Sequence, residues 1–349
     1  MTKSAKNTIL KILKVTIPLG IGVYLMWYFY QSMDAETKDV FYNALGRANY
    51  FYITLSIVFG ILSHLLRAYR WKYLLEPLGY KPKFLNRFYT VMAGYLINLL
   101  LPRAGEASRA ALLYQSDGIP FSKSFGTIIA ERVFDTLALG IILLVALFLS
   151  YDDIITIRNI LISNSTESES GVSLWILYGI LGFVLLIGVI FIFVYFKVER
   201  FRLMVQSFGK DLLNGVFAIF KSKNPYKFTF QTMLIWILYL FYFGICFFAF
   251  EETKDFPING ILIGFIAGTL GIAFTNGGIG AYPYLVSIVV IFYMGQSTFS
   301  SSEIEGVGKA LGMIIWLSQT VMMIVLGLFS LILIPRKFKK KSNDKVGEN

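Results

Sequence analysis

Six charged residues stand inside or beside apolar stretches of this 349-residue chain: Arg103, Glu106 and Arg109, then Glu131, Arg132 and Asp135. The first three recur every third residue and share one face of a helix. The spacings 131/135 and 132/135 put the second three on neighbouring faces. Charge at bilayer depth costs roughly 2.5–3.5 kcal/mol per residue on insertion scales, so these groups must be paired, face water, or both. Two readings follow. In one, three bases and three acids form a salt-bridge cluster that pins a re-entrant hairpin to the next span. In the other they line a polar vestibule where a guanidinium fork takes a phosphate bidentately, and an acid takes the arginine back afterwards.

The elements that position these charges follow from composition. The chain is 56% hydrophobic and 15% charged, against about 45–50% and a quarter in soluble domains. That excludes a water-soluble globule and a disordered or collagen-like chain. Residues 12–30, 50–66, 136–150, 173–196, 228–250 and 306–334 are almost free of charge, and about 20 apolar residues cross the hydrocarbon. The expected fold is all-α: a polytopic helical membrane protein of about six to eight spans plus re-entrant broken helices. One domain covers 1–349, with halves at about 12–150 and 173–334 and a basic tail at 335–349.

Charge sorts by segment. Stretches 1–14, 67–87, 197–227 and 335–349 hold 23 Lys/Arg against 5 Asp/Glu, whereas 31–49, 151–172, 251–256 and 295–305 hold 4 against 12. Short basic loops stay cytoplasmic, so the first set faces in and both termini are cytoplasmic. The expected location is a bacterial cytoplasmic (inner) membrane. The net charge of +11 is then a topology signal and an attraction to anionic headgroups. Nucleic acid is excluded as a partner, because no segment is long enough to build a base-reading module. The basic N-terminus before Ile12–Tyr30 reads as a retained signal anchor, with no small-residue cleavage site after it.

Each half runs span, span, interrupted segment, span, and the two start from opposite sides. Inverted repeats with broken helices near the midplane mark transporters, and paired interruptions point to the site. The first interruption is Leu99-Leu100-Leu101-Pro102-Arg103-Ala104-Gly105-Glu106. Proline removes a donor and clashes with the preceding turn, so a helix from 85 ends near 101 and another begins near 105. The second is Thr275-Asn276-Gly277-Gly278-Ile279-Gly280-Ala281-Tyr282-Pro283. Irregular backbone at this depth must be buried in protein or line a wet cavity. Asn98, Asn276, Gly277, Gly278 and Gly280 therefore join the six charges as candidate substrate-binding residues.

The remaining groups carry less chemistry. A single cysteine, Cys246, and a single histidine, His64, leave no thiolate cluster, and no metal or cofactor is expected. His64 reads as a packing or interface residue. Lys309 reads as a side chain snorkelling outward. Residues 198–222 read as an amphipathic helix on the inner leaflet. Asn164-Ser165-Thr166 is a sequon pattern, and Asp152-Asp153 is the exposed acidic pair near a span end. No phosphate loop of the nucleotide-binding kind is present.

Asn98-x-x-Leu101-Pro102-Arg103-x-Gly105-Glu106-x-x-Arg109-x-x-Leu112-Leu113, then Glu131-Arg132-x-x-Asp135, then Gly277-Gly278-Ile279-Gly280 resembles the lysylphosphatidylglycerol synthase transmembrane region, the flippase-like domain family. The resemblance covers nearly the whole chain. It implies a multi-pass domain with re-entrant segments that moves phospholipid or other lipid-linked headgroups between leaflets, with the six charges lining or bracing the path. Bifunctional members carry a soluble aminoacyltransferase domain. This chain ends 15 residues after Ile334, so no enzyme activity of that kind is expected. The alternatives are a membrane-embedded enzyme on lipid phosphates or polyprenyl-linked sugars, and a non-catalytic scaffold for a separate lipid-synthesis enzyme. The expected partner in transport is a membrane phospholipid or lipid-linked substrate.

Overall fold

The computed structural model describes residues 19–151, 224–295 and 298–335, with 16, 196–199 and 202–203 as isolated positions. The span read at 173–196 and the amphipathic helix read at 198–222 fall almost wholly outside the described residues. Among those described, every regular element is helical: residues 19–31 (α1), Ala35–Arg47 (α2), Tyr50–Arg70 (α3), Lys72–Leu75 (α4), Phe84–Leu100 (α5), Gly105–Asp117 (α6), Phe121–Leu149 (α7), Pro225–Gly244 (α8), Ile258–Phe274 (α9), Ala281–Met294 (α10) and Ser301–Leu333 (α11). The segments Tyr50–Leu78, Phe121–Leu149, Pro225–Ala249 and Ser301–Leu333 are long and apolar enough to cross a membrane, while α9 and α10 are apolar but shorter.

Local chemistry sets the boundaries. Asp34 caps α2, its carboxylate accepting from the Thr37 N–H at 2.8 Å; that donor holds the carboxyl below its ordinary range. Ser300 and Glu303 close a reciprocal capping box at the start of α11. The first interruption falls where proline dictates, between Leu100 and Gly105. The second falls between Phe274 and Ala281, with Gly277, Gly278 and Gly280 all at positive φ.

Helices α3 and α8 run antiparallel. The Phe59 and Phe241 rings meet at 5.5 Å, and Arg70 near one end of α3 bonds Thr232 near the start of α8. Helix α5 follows from the Arg70 end of α3, and α9 follows from the opposite end of the pair. Each is half of a hairpin. In the first, Asn86 holds the Asp117 carboxylate at 3.0 Å and Gly94 faces Gly105. In the second, Gly260 faces Tyr293 and Gly271 faces Tyr282. The hairpins therefore enter from opposite ends of the bundle, and their tips touch: the Asn276 Nδ2 donates to the Leu99 carbonyl at 2.6 Å.

Small residues permit the close approaches. A Cβ on Gly312 would sit 2.6 Å from the Pro283 carbonyl oxygen, and one on Gly327 would sit 3.0 Å from that of Met92, so α11 lies against both hairpins. A Cβ on Gly105 would sit 2.6 Å from the Gly94 carbonyl oxygen. Gly105→Val is accordingly expected to wedge the first hairpin apart and cost about 1–3 kcal/mol. A lowered unfolding midpoint in detergent is the readout; an unchanged one would mean the hairpin relaxes freely.

Candidate functional site

Two helices deliver three guanidinium groups to one buried place. Arg67 and Arg70 come from α3 and Arg109 from α6, and all three have side chains no more than 5% exposed. Against them stand Glu131 and Asp135 of α7, at 1% and 7%. Arg67 Nη1 donates to Glu131 at 2.6 Å and to Asp135 at 2.5 Å. Arg109 grips Glu131 bidentately, at 2.9 and 3.2 Å. Arg70 reaches Asp135 at 3.0 Å and the Thr232 hydroxyl at 2.6 Å. This inner layer carries three cations against two anions.

Aromatic rings and an apolar shell hold the layer in place. The Arg109 guanidinium lies 3.7 Å from the Trp71 ring centroid, and Trp71 in turn donates its indole N–H to Thr127 at 2.9 Å. Arg70 lies 4.9 Å from the Phe228 ring. Leu75, Met92, Leu113 and Ile128 pack in the same buried cluster as Trp71 and Phe228. The desolvated arginines are thereby kept extended toward α7 rather than free to reach water.

A second layer faces outward. Arg132 Nη2 pairs with Glu106 at 2.9 Å, and its Nη1 lies 3.9 Å from Asp135; the Arg132 and Glu106 side chains are 41% and 28% exposed. They line a narrow cleft of about 20 Å³ between α5, α6 and α7, with Tyr95, Asn98, Gly105 and Arg109 among its other walls. The Nε donors of Arg67, Arg70, Arg109 and Arg132 are buried without an acceptor among the described residues. The cluster therefore has more donor capacity than its own carboxylates use.

The sequence-derived residues divide three ways. Glu106, Arg109, Glu131, Arg132, Asp135 and Asn98 converge at or behind the cleft. Arg103 does not: it sits exposed at the first hairpin tip with φ 63°, and among the described residues no ion pair engages it. The three bases of the cluster's core are thus Arg67, Arg70 and Arg109, not the set that includes Arg103. Asn276, Gly277, Gly278 and Gly280 form the opposing tip, where they meet Leu99, Trp316, Tyr282 and α1 rather than the charges. Arg67 and Arg70 escaped sequence reasoning because the apolar run stops at Leu66, so they counted as loop charge. The signal available was His64, Arg67 and Trp71 on one helical face. His64 packs between Tyr95 and Tyr239. Lys309 does not snorkel outward. It is buried, donating to Ser32 at 2.9 Å and pairing with Glu305 at 2.6 Å, because an acid one turn back offers a nearer partner than the interface.

The family model for the lysylphosphatidylglycerol synthase TM region matches residues 15–301. The chain belongs to this family. Its relatives include a UPF0104 membrane protein of Methanocaldococcus jannaschii, 34% identical over 38% of this chain and 38% of that protein. Glycosyltransferase AglD of Haloferax volcanii is 27% identical over 60% of this chain and 36% of its own length. A UPF0104 membrane protein of Methanothermobacter thermautotrophicus is 26% identical over 72% and 77%. The chain thus spans under two fifths of the first two. No solved structure matches. As a member of the lysylphosphatidylglycerol synthase TM-region family, the protein is a multi-pass, all-α membrane protein. The match takes in both interruptions and all the clustered charges.

Proposed function

We propose that this protein is a lipid translocase, carrying a phospholipid or other lipid-linked anionic headgroup between leaflets of the cytoplasmic membrane. The observation that carries this reading is the guanidinium excess of the buried cluster, opening to a cleft through Arg132 beside a broken helix. A bare phosphate crossing hydrocarbon costs tens of kcal/mol in a Born estimate. In this reading the phosphate displaces Glu106 from Arg132, gains the spare donors of Arg109, and leaves its acyl tails in lipid. The Lys/Arg-rich end of the bundle, at the Arg70 end of α3, faces the cytoplasm. The protein acts on no covalent bond.

Purified protein in liposomes is expected to speed leaflet exchange of fluorescent phosphatidylglycerol. Arg132→Ala should slow it at least about tenfold, since one charge-assisted contact is worth ~1.5–3 kcal/mol, and Arg132→Lys should retain part of the rate. Arg103→Ala, at the exposed tip, should cost less. Folded Arg132→Ala protein exchanging at the wild-type rate would remove the site assignment. Absence of exchange with phosphatidylglycerol and with polyprenyl phosphate would favour a scaffold for a separate synthase. AglD, a relative named as a glycosyltransferase, makes sugar transfer to polyprenyl phosphate the activity to assay beside it.

A further inference from the structure

A polar cavity of about 340 Å³ opens where the chain leaves α2 and α8, at the end of the bundle opposite Arg70. Its walls include Arg47, Asn49, Tyr52, Phe248, Glu252 and Lys254. The volume lies at the lower end of the roughly 300–1,000 Å³ of small-molecule sites. Two loops build it, and they are fastened to each other. The Asn49 N–H donates to the Ala249 carbonyl at 2.8 Å, and Arg47 pairs with Glu252. The Thr253 hydroxyl donates to the Phe247 carbonyl at 2.6 Å, and Ala249 and Phe250 are buried. The walls are therefore set before any ligand arrives.

One wall atom lacks a partner. The Glu252 side chain is 8% exposed; its Oε1 pairs with Arg47, while its Oε2 is buried with no hydrogen-bond donor among the described residues. A carboxylate oxygen left so costs free energy that a bound donor recovers. The class of that donor follows from the neighbours. Arg47 and Lys254 oppose a bare metal cation, and Glu251 and Glu252 oppose a phosphate. Both cations already hold a carboxylate, Lys254 that of Glu251. A zwitterion would have to break one of these pairs to seat its own anion. A hydroxyl breaks neither: it donates to Oε2 and keeps its lone pairs for other donors of the wall. Beside the acid, the Tyr52 and Phe248 rings stand 5.8 Å apart at 35° and offer an apolar wall. Hydroxyls along an edge and an apolar C–H face are the two aspects of a sugar ring.

We propose that this cavity binds a glycosyl group through Glu252, on the side of the membrane away from the Lys/Arg-rich loops. The ligand is neutral and polyhydroxylated. The site stands apart from the Arg132 cleft and does not rest on the translocase reading. A free saccharide and the sugar head of a glycolipid offer the same chemistry, and the probes below separate them.

The test is saturation-transfer NMR on the full chain in phosphatidylcholine nanodiscs, free of sugar-headed detergents that would fill the site. The probes are the methyl glycosides of glucose, galactose, mannose and N-acetylglucosamine. At least one should receive saturation and titrate. Glu252→Ala should weaken that binding at least about tenfold, the size of a lost hydrogen bond to a charged group. Tyr52→Ala should weaken it as well, by removing one ring of the apolar wall. Monodisperse size exclusion shows that each variant is folded. Displacement of the sugar by its dodecyl glycoside embedded in the nanodisc marks a glycolipid head; failure to displace it marks a free saccharide. Absence of saturation with every methyl glycoside would overturn the proposal. So would binding unchanged in both variants, or displacement of the sugar by glycine betaine, inorganic phosphate or magnesium.

Discussion

Glu131→Ala is expected to leave little folded protein. Glu131 is the carboxylate that three buried arginines share: Arg67 at 2.6 Å, Arg109 at 2.9 Å and Arg70 at 3.3 Å. Removing it leaves those cations with Asp135 alone. Breaking a buried pair by deleting one partner costs about 3–5 kcal/mol, because the other charge stays desolvated and uncompensated. Here three charges are affected, so the upper end of that range applies. Glu106→Ala removes a carboxylate from the same face but one that is 28% exposed and pairs with a half-exposed arginine; it should cost about 0–1 kcal/mol. The comparison is made by the monodisperse fraction on size exclusion and by the unfolding midpoint in one detergent. Equal values for the two variants would show that water or lipid reaches the inner layer and that the burial argument is mistaken.

Gly280→Val is the second large effect. Gly280 has φ 71° and ψ −47°, and a Cβ there would lie 2.5 Å from the Gly22 carbonyl oxygen and from the Met26 N. Two penalties add: about 1–3 kcal/mol for holding an L residue in a sparsely populated backbone region, and a further 1–3 kcal/mol for the overlap with α1. Because the contact is backbone to backbone, no side-chain rotation relieves it. The expected outcome is detachment of α1 from the second hairpin tip, read as new protease sensitivity between residues 19 and 31 and a lowered midpoint. Gly46→Val, where a Cβ would meet nothing within 4 Å, should change neither. A Gly280→Val protein as resistant as wild type would mean α1 does not depend on this contact.

What could be read from the sequence was what local chemistry decides. Pro102 and the Gly277–Gly280 run break helices whatever surrounds them, and the structure breaks there. Hydropathy runs gave the membrane class for the same reason. Partner choice was not legible, since Arg109 finds Glu131 only after α6 folds back on α5 and α7 packs against it. Arg67 and Arg70 illustrate the limit. Charge at the end of an apolar run looks the same in sequence whether it meets a headgroup or turns inward, and only the acids at 131 and 135 on another helix decide between them. Lys309 was misread for a different reason: Glu305 one turn back was legible in the sequence, whereas the serine at the end of α1 was not. The touching of the two tips through Asn276 and Leu99 lay beyond any local rule.

On the proposed headgroup path, the uneven charge of the inner layer would set which ions can follow. Arg67, Arg70 and Arg109 exceed Glu131 and Asp135 by one unit, in surroundings too poor in water to screen it. Sodium, potassium and hydronium approaching along this route meet an electrostatic wall, while an anion meets a well. A membrane carrying many copies of the protein should therefore stay tight to small cations and keep its proton gradient.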